Sequence, residues 1–308
     1  MAYQTGTATD YRDLLDKLRL FLTTDATLVG LSQNWEQKRW VTTSNTQELF
    51  VRGPGLAGTD NIYIGIRSFE SVVNDYYNLG VRGSVGLLID GSGNYQNGAD
   101  FHTQPGTSPE VYACAFNTSM PYWFVANGRR FIAIWKVSTT YHGIYCGFPL
   151  PYATPAQYPY PLMVCGTGTY SNRRWSVTTG DHRMFHDPGQ SGVGNDANTY
   201  LYYLDGTWQP FANYAVGSTA DGTGVEINNI WPKGVTSLRE TPDGSYALIP
   251  FILNMSTPNL IGELDGVYWI PGFNTAAEDT MTIASVPYVI FQNIFRTSIN
   301  SYFALKLA

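Results

Sequence analysis

Charge is what this sequence lacks most. Only 14% of its 308 residues are Asp, Glu, Lys or Arg, against about a quarter in an ordinary soluble domain. The 18 basic residues are outnumbered by 24 acidic ones, leaving a formal net charge of −6. Binding a phosphate backbone needs clustered Lys and Arg. The densest basic spots, Arg129-Arg130 and Arg173-Arg174, remain isolated pairs, so nucleic acid is not an expected partner. Cysteine is scarce too. Cys114, Cys146 and Cys165 are widely spaced and sit among apolar, strand-like residues. A disulfide framework or zinc site calls for close pairs, and buried free thiols are expected instead. No apolar run approaches the ~18–20 residues of a membrane helix. Residues 1–10 are polar and carry no secretory pattern, so cytoplasmic synthesis and no membrane contact are expected.

Aromatics and glycine take the place of charge: 22 Tyr, 15 Phe, 8 Trp and 31 Gly. Little charge with much Tyr and Trp is the composition of a surface covered by another protein or by sugar.

One amphipathic helix stands out near the start. Tyr11, Leu14, Leu15, Leu18, Phe21 and Leu22 recur at helical spacing, with Arg12, Asp13, Asp16, Lys17 and Arg19 on the other face. Thr9 or Asp10 is placed to cap it, and Asp10 and Asp13 suit the positive end of its dipole. The stripe must bury itself, either on the chain's own body or on a neighbouring subunit. In the second case these six residues are interface candidates.

From residue 31 onward the pattern is strand and turn. Strands are expected over 39–43, 47–52, 61–69, 81–89, 121–125, 130–137, 141–148, 199–204, 207–211, 246–254, 266–270 and 286–295, with 303–307 strand-like to the end. Asn127-Gly128 reads as a hairpin turn using positive φ angles. Residues 91–106 and 180–198 read as long polar loops. Residues 149–161 hold five prolines and three tyrosines, which rules out a central strand and suggests a rigid arm over a partner, with Tyr152, Tyr158 and Tyr160 as contacts. The expected fold is mainly β: an antiparallel sandwich or barrel-like body over 31–308, preceded by a helical segment over 1–30. The body is one unit or two packed subdomains divided near 165–200.

Catalytic patterns are weak. His182 and His186, with Asp181 and Asp187, have zinc-like spacing, but Gly180 before and Pro188-Gly189 after indicate a polar surface loop. Glu263/Asp265 and Glu278/Asp279 are close in sequence. Gly262 to Gly266 reads as a strand end and tight turn, and the recurrent Asp-Gly pairs explain many carboxylates as turn residues. Neither Gly83-Ser84-Val85-Gly86 nor Gly91-Ser92-Gly93 fits a nucleophile elbow, and Gly166-Thr167-Gly168 lacks the rest of a phosphate-binding turn. No enzyme activity and no metal or cofactor are expected.

Several stretches resemble a family of virion structural proteins from tailed bacteriophages and related prophages. They are Gly6-Thr7-Ala8-Thr9-Asp10-Tyr11-Arg12-Asp13-Leu14-Leu15, Leu49-Phe50-Val51-Arg52-Gly53-Pro54-Gly55, Pro121-Tyr122-Trp123-Phe124-Val125-Ala126-Asn127-Gly128, the Pro-Tyr segment, and Gly262-Glu263-Leu264-Asp265-Gly266-Val267-Tyr268-Trp269-Ile270-Pro271-Gly272. The resemblance runs from residue 6 to near the C-terminus. It implies a multicopy particle component at the neck, tail or baseplate, assembled in the host cytoplasm as a symmetric oligomer with other phage structural proteins. It brings no catalytic residue with it. A glycan- or receptor-binding domain is the alternative, with Trp175, Trp208 and Trp231 as stacking anchors. A polysaccharide depolymerase or peptidoglycan hydrolase would need a convergent acid–base pair, and the sequence nominates none.

Overall fold

The computed structural model describes residues 1–43, 46–152, 161–168, 170–178, 182–187, 197–211, 217–218, 225–226, 248–254, 260–272, 274–298 and 301–308. The chain is mainly β and antiparallel, with three large sheets. The seven-stranded sheet runs in the order Ala2–Ala8, Met120–Ala126, Arg130–Val137, Thr140–Gly147, Met163–Cys165, Thr199–Tyr202, Trp208–Pro210. A five-stranded sheet is formed by Glu36–Thr42, Gln47–Gly53, Ile62–Ser71, Tyr76–Ser84 and Val111–Ala115 in sequence order. A six-stranded sheet has the path Leu150–Pro151, Leu260–Ile270, Tyr302–Lys306, Val286–Gln292, Thr280–Ile283, with Ile249–Asn254 also on Leu260–Ile270.

The seven-stranded sheet lies between the other two, and its side chains alternate between two cores. Phe124, Phe131, Ala133, Trp135 and Ile144 pack with Leu49, Ile64, Leu79 and Val111 of the five-stranded sheet. Val125, Ile132, Ile134 and Tyr145 pack with Phe251, Trp269, Phe291 and Phe303 of the six-stranded sheet. A strand covered on both faces has no polar parity. That is why residues 120–147 read as nearly continuous apolar runs, where a half-exposed antiparallel strand would alternate. The low charge content is thus largely an internal requirement of a three-layer body.

The long helix spans Tyr11–Thr24 and starts where Asp10 Oδ1 accepts the N–H groups of Arg12 and Asp13, both at 2.8 Å. It ends at Asp25, whose carboxylate caps the short helix Ala26–Gly30. All six stripe residues are 2% exposed or less. Phe21 meets Phe124 of the central sheet at 5.8 Å and Tyr11 meets Tyr77 of the five-stranded sheet at 5.3 Å between ring centroids. The stripe is therefore buried inside the chain and offers no surface to a neighbouring subunit.

The first thirty residues hold both helices and, ahead of them, a strand. Ala2–Ala8 is an edge strand of the central sheet, paired from Ala2↔Ala126 to Ala8↔Met120. Nor do residues 165–200 divide the sheets, since Met163–Cys165 and Thr199–Tyr202 are paired neighbours in one of them.

Two turns differ from expectation. Between Met120–Ala126 and Arg130–Val137, neither Asn127 nor Gly128 has positive φ. Asn127 Oδ1 instead accepts the N–H groups of Arg129 and Arg130. Gly128 is needed for space: Gly55 N–H donates to its carbonyl at 2.7 Å, and a Cβ there would lie 1.9 Å from the Gly55 carbonyl oxygen. Gly262 to Gly266 is not a strand end either. It lies within Leu260–Ile270, where the pairing jumps from Pro250↔Tyr268 to Ile252↔Glu263 and Gly266 takes φ +79°. This is a bulge, and it turns Asp265 onto Arg130.

Leu15 and Leu22 are both fully buried. Leu15→Ala or Leu22→Ala should each cost about 2–5 kcal/mol in urea unfolding. Leu20→Ser on the same helix, at a position 42% exposed, should change stability by less than about 0.5 kcal/mol. Equal small losses at all three positions would contradict the packing.

Candidate functional site

The described surface has a polar cleft of about 490 Å³ on the side of the five-stranded sheet. It is lined by Arg82 on Tyr76–Ser84, by Pro109 and Glu110 leading into Val111–Ala115, and by Tyr112 on that strand. Its far wall is Tyr170, Ser171 and Asn172, with Ala197 and Tyr200 closing one end.

Backbone contacts fix this wall to the sheet. Tyr112 carbonyl oxygen accepts the N–H groups of Thr167 and Gly168, both at 2.8 Å, and Tyr112 N–H donates to the Gly168 carbonyl at 3.1 Å. A Cβ at Gly166 would lie 2.5 Å from that same Tyr112 oxygen. The Gly166-Thr167-Gly168 sequence, unexplained as a phosphate loop, is thus a close backbone seam. Fully buried Asn78 donates through Nδ2 to the carbonyls of Ser171 and Arg173, at 2.6 and 2.8 Å.

Glu110 organises the floor. Its carboxylate receives Arg67 Nε at 2.9 Å and Arg67 Nη2 at 3.0 Å, and its side chain is only 3% exposed. Tyr112 hydroxyl donates to Glu110 Oε2 at 3.1 Å, and burial together with this carboxylate raises the Tyr112 pKa to about 12. Arg82 Nη2 lies 4.0 Å from Glu110 while Nη1 donates to the Ser108 carbonyl at 2.9 Å. Arg82 Nε is buried with no hydrogen-bond partner. Burial lowers the Arg82 pKa, as does the Arg67 charge, against the pull of Glu110.

The tryptophan anchors are placed differently from the sequence expectation. Trp208 is partly buried, donates through Nε1 to the Gly106 carbonyl at 2.6 Å, and packs against the Gly83 backbone and Val164. Trp175 is partly buried against Phe116, with ring centroids 5.8 Å apart. Both pack against the core, and neither lines the cleft. Trp231, Tyr158 and Tyr160 lie outside the described residues. Tyr152 is 52% exposed, and its hydroxyl donates to Glu263 Oε2 at 3.3 Å.

The histidine pair does not form a shared centre, and it is not on a surface loop. His182, His186 and Asp187 are all buried. His182 lies beside His142, with ring centroids 6.0 Å apart, and its Nε2 is 3.8 Å from Cys114 Sγ. The His186 ring sits against Phe303 at 4.4 Å and Phe251 at 5.3 Å, with no hydrogen-bond partner at either nitrogen. Among the described residues no cluster of three or more His, Cys, Asp or Glu could hold a metal ion. The paired carboxylates are structural: Asp265 bonds buried Arg130 at 3.0 Å, and Glu278 binds Lys136 and Tyr141. All three thiols are free and buried.

No known family model and no curated protein matches this chain.

Burial, reinforced by His182, holds the His142 pKa well below its ordinary value; burial and the Arg296 charge bring His186 to about 3. The folded state therefore refuses protons that the unfolded chain accepts below pH ~6.5. Stability from both groups is complete above that pH and is lost as pH falls, by up to about 1.4 kcal/mol per unit for each histidine. Urea midpoints should drop between pH 7 and pH 5, and His186→Phe should flatten the decline. A pH-independent midpoint over that range would contradict the assignment.

Proposed function

We propose that this chain is a structural component of a tailed-phage particle, present in several copies at the neck, tail or baseplate, and that it is not an enzyme. The resemblance over most of the chain supports this reading. So does one structural feature, the tip of the hairpin joining Ile62–Ser71 to Tyr76–Ser84.

Val72 and Val73 at that tip are 74% and 94% exposed. Turn positions ordinarily carry Gly, Pro, Asn, Asp or Ser, and this tip leads with two adjacent valines. The turn holds itself in shape. Asn74 N–H and Nδ2 both donate to Ser71 Oγ, Asp75 takes φ 52°, and Asp75 is paired with Arg174 at 2.6 Å. A preformed apolar knob loses little freedom on docking. In a symmetric ring, or between subunits of a particle, the same knob repeats around the axis and modest contacts sum to a stable assembly. The partners are other copies of the chain or other phage structural proteins, with assembly in the host cytoplasm and residence in the virion.

Fully burying a valine contributes about 1.5–3 kcal/mol, a tenfold to hundredfold change in affinity per contact at roughly 1.4 kcal/mol per decade. Replacing both residues, Val72→Asp with Val73→Asp, should leave the melting temperature of the isolated chain unchanged. The same change in a phage genome should strongly reduce the protein in purified particles, as quantified by mass spectrometry. Normal incorporation would remove the knob from the account, and absence of the wild-type chain from particles would end the structural reading.

A further inference from the structure

Apart from the hairpin tip, we propose that the outer edge of Ala2–Ala8 pairs with the same strand of a second copy of this chain. The pairing joins two seven-stranded sheets about a two-fold axis at Thr5. It rests on this edge alone and does not require a role in particles.

Ala2–Ala8 is the terminal strand of the central sheet and, among the described residues, pairs only with Met120–Ala126. The direction of its backbone groups follows from the hairpin beside it. Asn127 N–H donates to the Arg130 carbonyl at 3.0 Å, so Asn127 faces Arg130–Val137. Backbone groups along an antiparallel strand alternate in side. Trp123 and Val125 therefore share the direction of Asn127, while Tyr122, Phe124 and Ala126 face Gly6, Gln4 and Ala2. The N–H and C=O groups of Tyr3, Thr5 and Thr7 are left pointing outward. Among the described residues none of these groups has a backbone partner, and all three residues are exposed.

Such an open row is a template for another strand, and proteins ordinarily block it with charge, proline, a bulge or a covering segment. The other outer strands show these devices or are short. Glu36–Thr42 carries Glu36, Lys38 and Arg39 and a bulge between Gln37 and Arg39. Val111–Ala115 is bonded at Tyr112 to the backbone of residues 167 and 168. Trp208–Pro210 ends in proline, and Thr280–Ile283 has only four residues. Ala2–Ala8 has seven, with no charge, no proline and no register shift. Its sequence selects its own copy as the occupant. In an antiparallel pair centred on Thr5, Thr5 meets the second copy's Thr5, Tyr3 meets its Thr7, Gln4 its Gly6 and Ala2 its Ala8. The three outward residues then form the hydrogen-bonded pairs, each exchanging both N–H···O bonds. Tyr and Thr suit cross-strand contact, and no like charges oppose each other. The contact is small, so the dimer is a weak one that dissociates on dilution.

The test is sedimentation velocity of the intact chain from micromolar to millimolar concentration, over which monomer should convert to dimer. Thr5→Lys and Thr5→Glu each set like charges directly opposite one another, and each should weaken the dimer about tenfold or more. An equimolar mixture of the two variants should dimerise again. Within the chain both lose only the Thr5 hydroxyl bond to the Tyr122 carbonyl, so melting temperatures in dilute solution should stay close to that of the unsubstituted chain. Amide exchange reads the same pairing without substitution: Tyr3, Thr5 and Thr7 should slow as concentration rises, and Gln4 and Gly6, already bonded inward, should change far less. A monomer at every concentration, a dimer untouched by either charge, a mixture that stays monomeric, or exchange at Tyr3, Thr5 and Thr7 that ignores concentration would each overturn the proposal. So would loss of the dimer in the chain with Val72→Asp and Val73→Asp, which would assign the contact to the hairpin tip. Incorporation into particles enters none of these results, so the edge pairing and the structural role stand or fall separately.

Discussion

The constraint that organises this molecule is a central sheet covered on both faces. Met120–Ala126, Arg130–Val137 and Thr140–Gly147 place alternate residues into two different cores, so neither parity can be polar. Buried charge is costly unless paired, and the middle of the chain contains almost none. The exception is Arg130, fully buried and bonded to Asp265 on the six-stranded sheet. The bulge at Gly266 turns Asp265 toward it, and Asn127, the residue that shapes the neighbouring turn, donates to the same carboxylate at 3.2 Å. One ion pair thereby ties the central sheet, its first hairpin and the outer sheet together.

With the layers filled by apolar residues, polar chemistry is displaced to their margins. Asn78, Glu110 and Tyr112 stand where the five-stranded sheet meets the 166–173 segment, and the cleft opens at that seam. The loop over 85–110 is likewise more than a solvated excursion. Its Tyr95 and Phe101 cover Phe50 on the outer face of the five-stranded sheet, at 6.2 and 5.5 Å between centroids. The apolar groups left exposed are few among the described residues, and two of the most exposed are adjacent at one ordered tip.

Much of the secondary structure was legible from residue patterns. The helix stripe appears with the same six residues, because burial on one side writes a helical period directly into the sequence. Residues 130–137 form the strand that the pattern indicates. Ala2–Ala8 was not legible, since its alternating Gln, Thr and Gly residues belong to a half-exposed edge strand with few apolar markers. The Asp265-Gly266 pair misled as a turn because a bulge and a tight turn call for the same positive φ. His182 and His186 misled because flanking Gly and Pro report backbone shape and not burial. The cleft was beyond the sequence, as it draws on residues 82, 109–112, 170–172, 197 and 200 through long-range pairings. Its aromatic lining is tyrosine, whereas the sequence reading had named tryptophans as stacking anchors.

The central claim is that the apolar middle of this chain is buried by the chain itself and not by a partner. Hydrogen exchange of the isolated protein tests it most directly. Amides of Phe124, Ile132, Ala133 and Ile144 should exchange only through global unfolding, as slowly as any in the molecule and independently of protein concentration. Rapid exchange in those strands, with protection appearing only on oligomerisation or assembly, would show that a partner completes the core and would contradict the account.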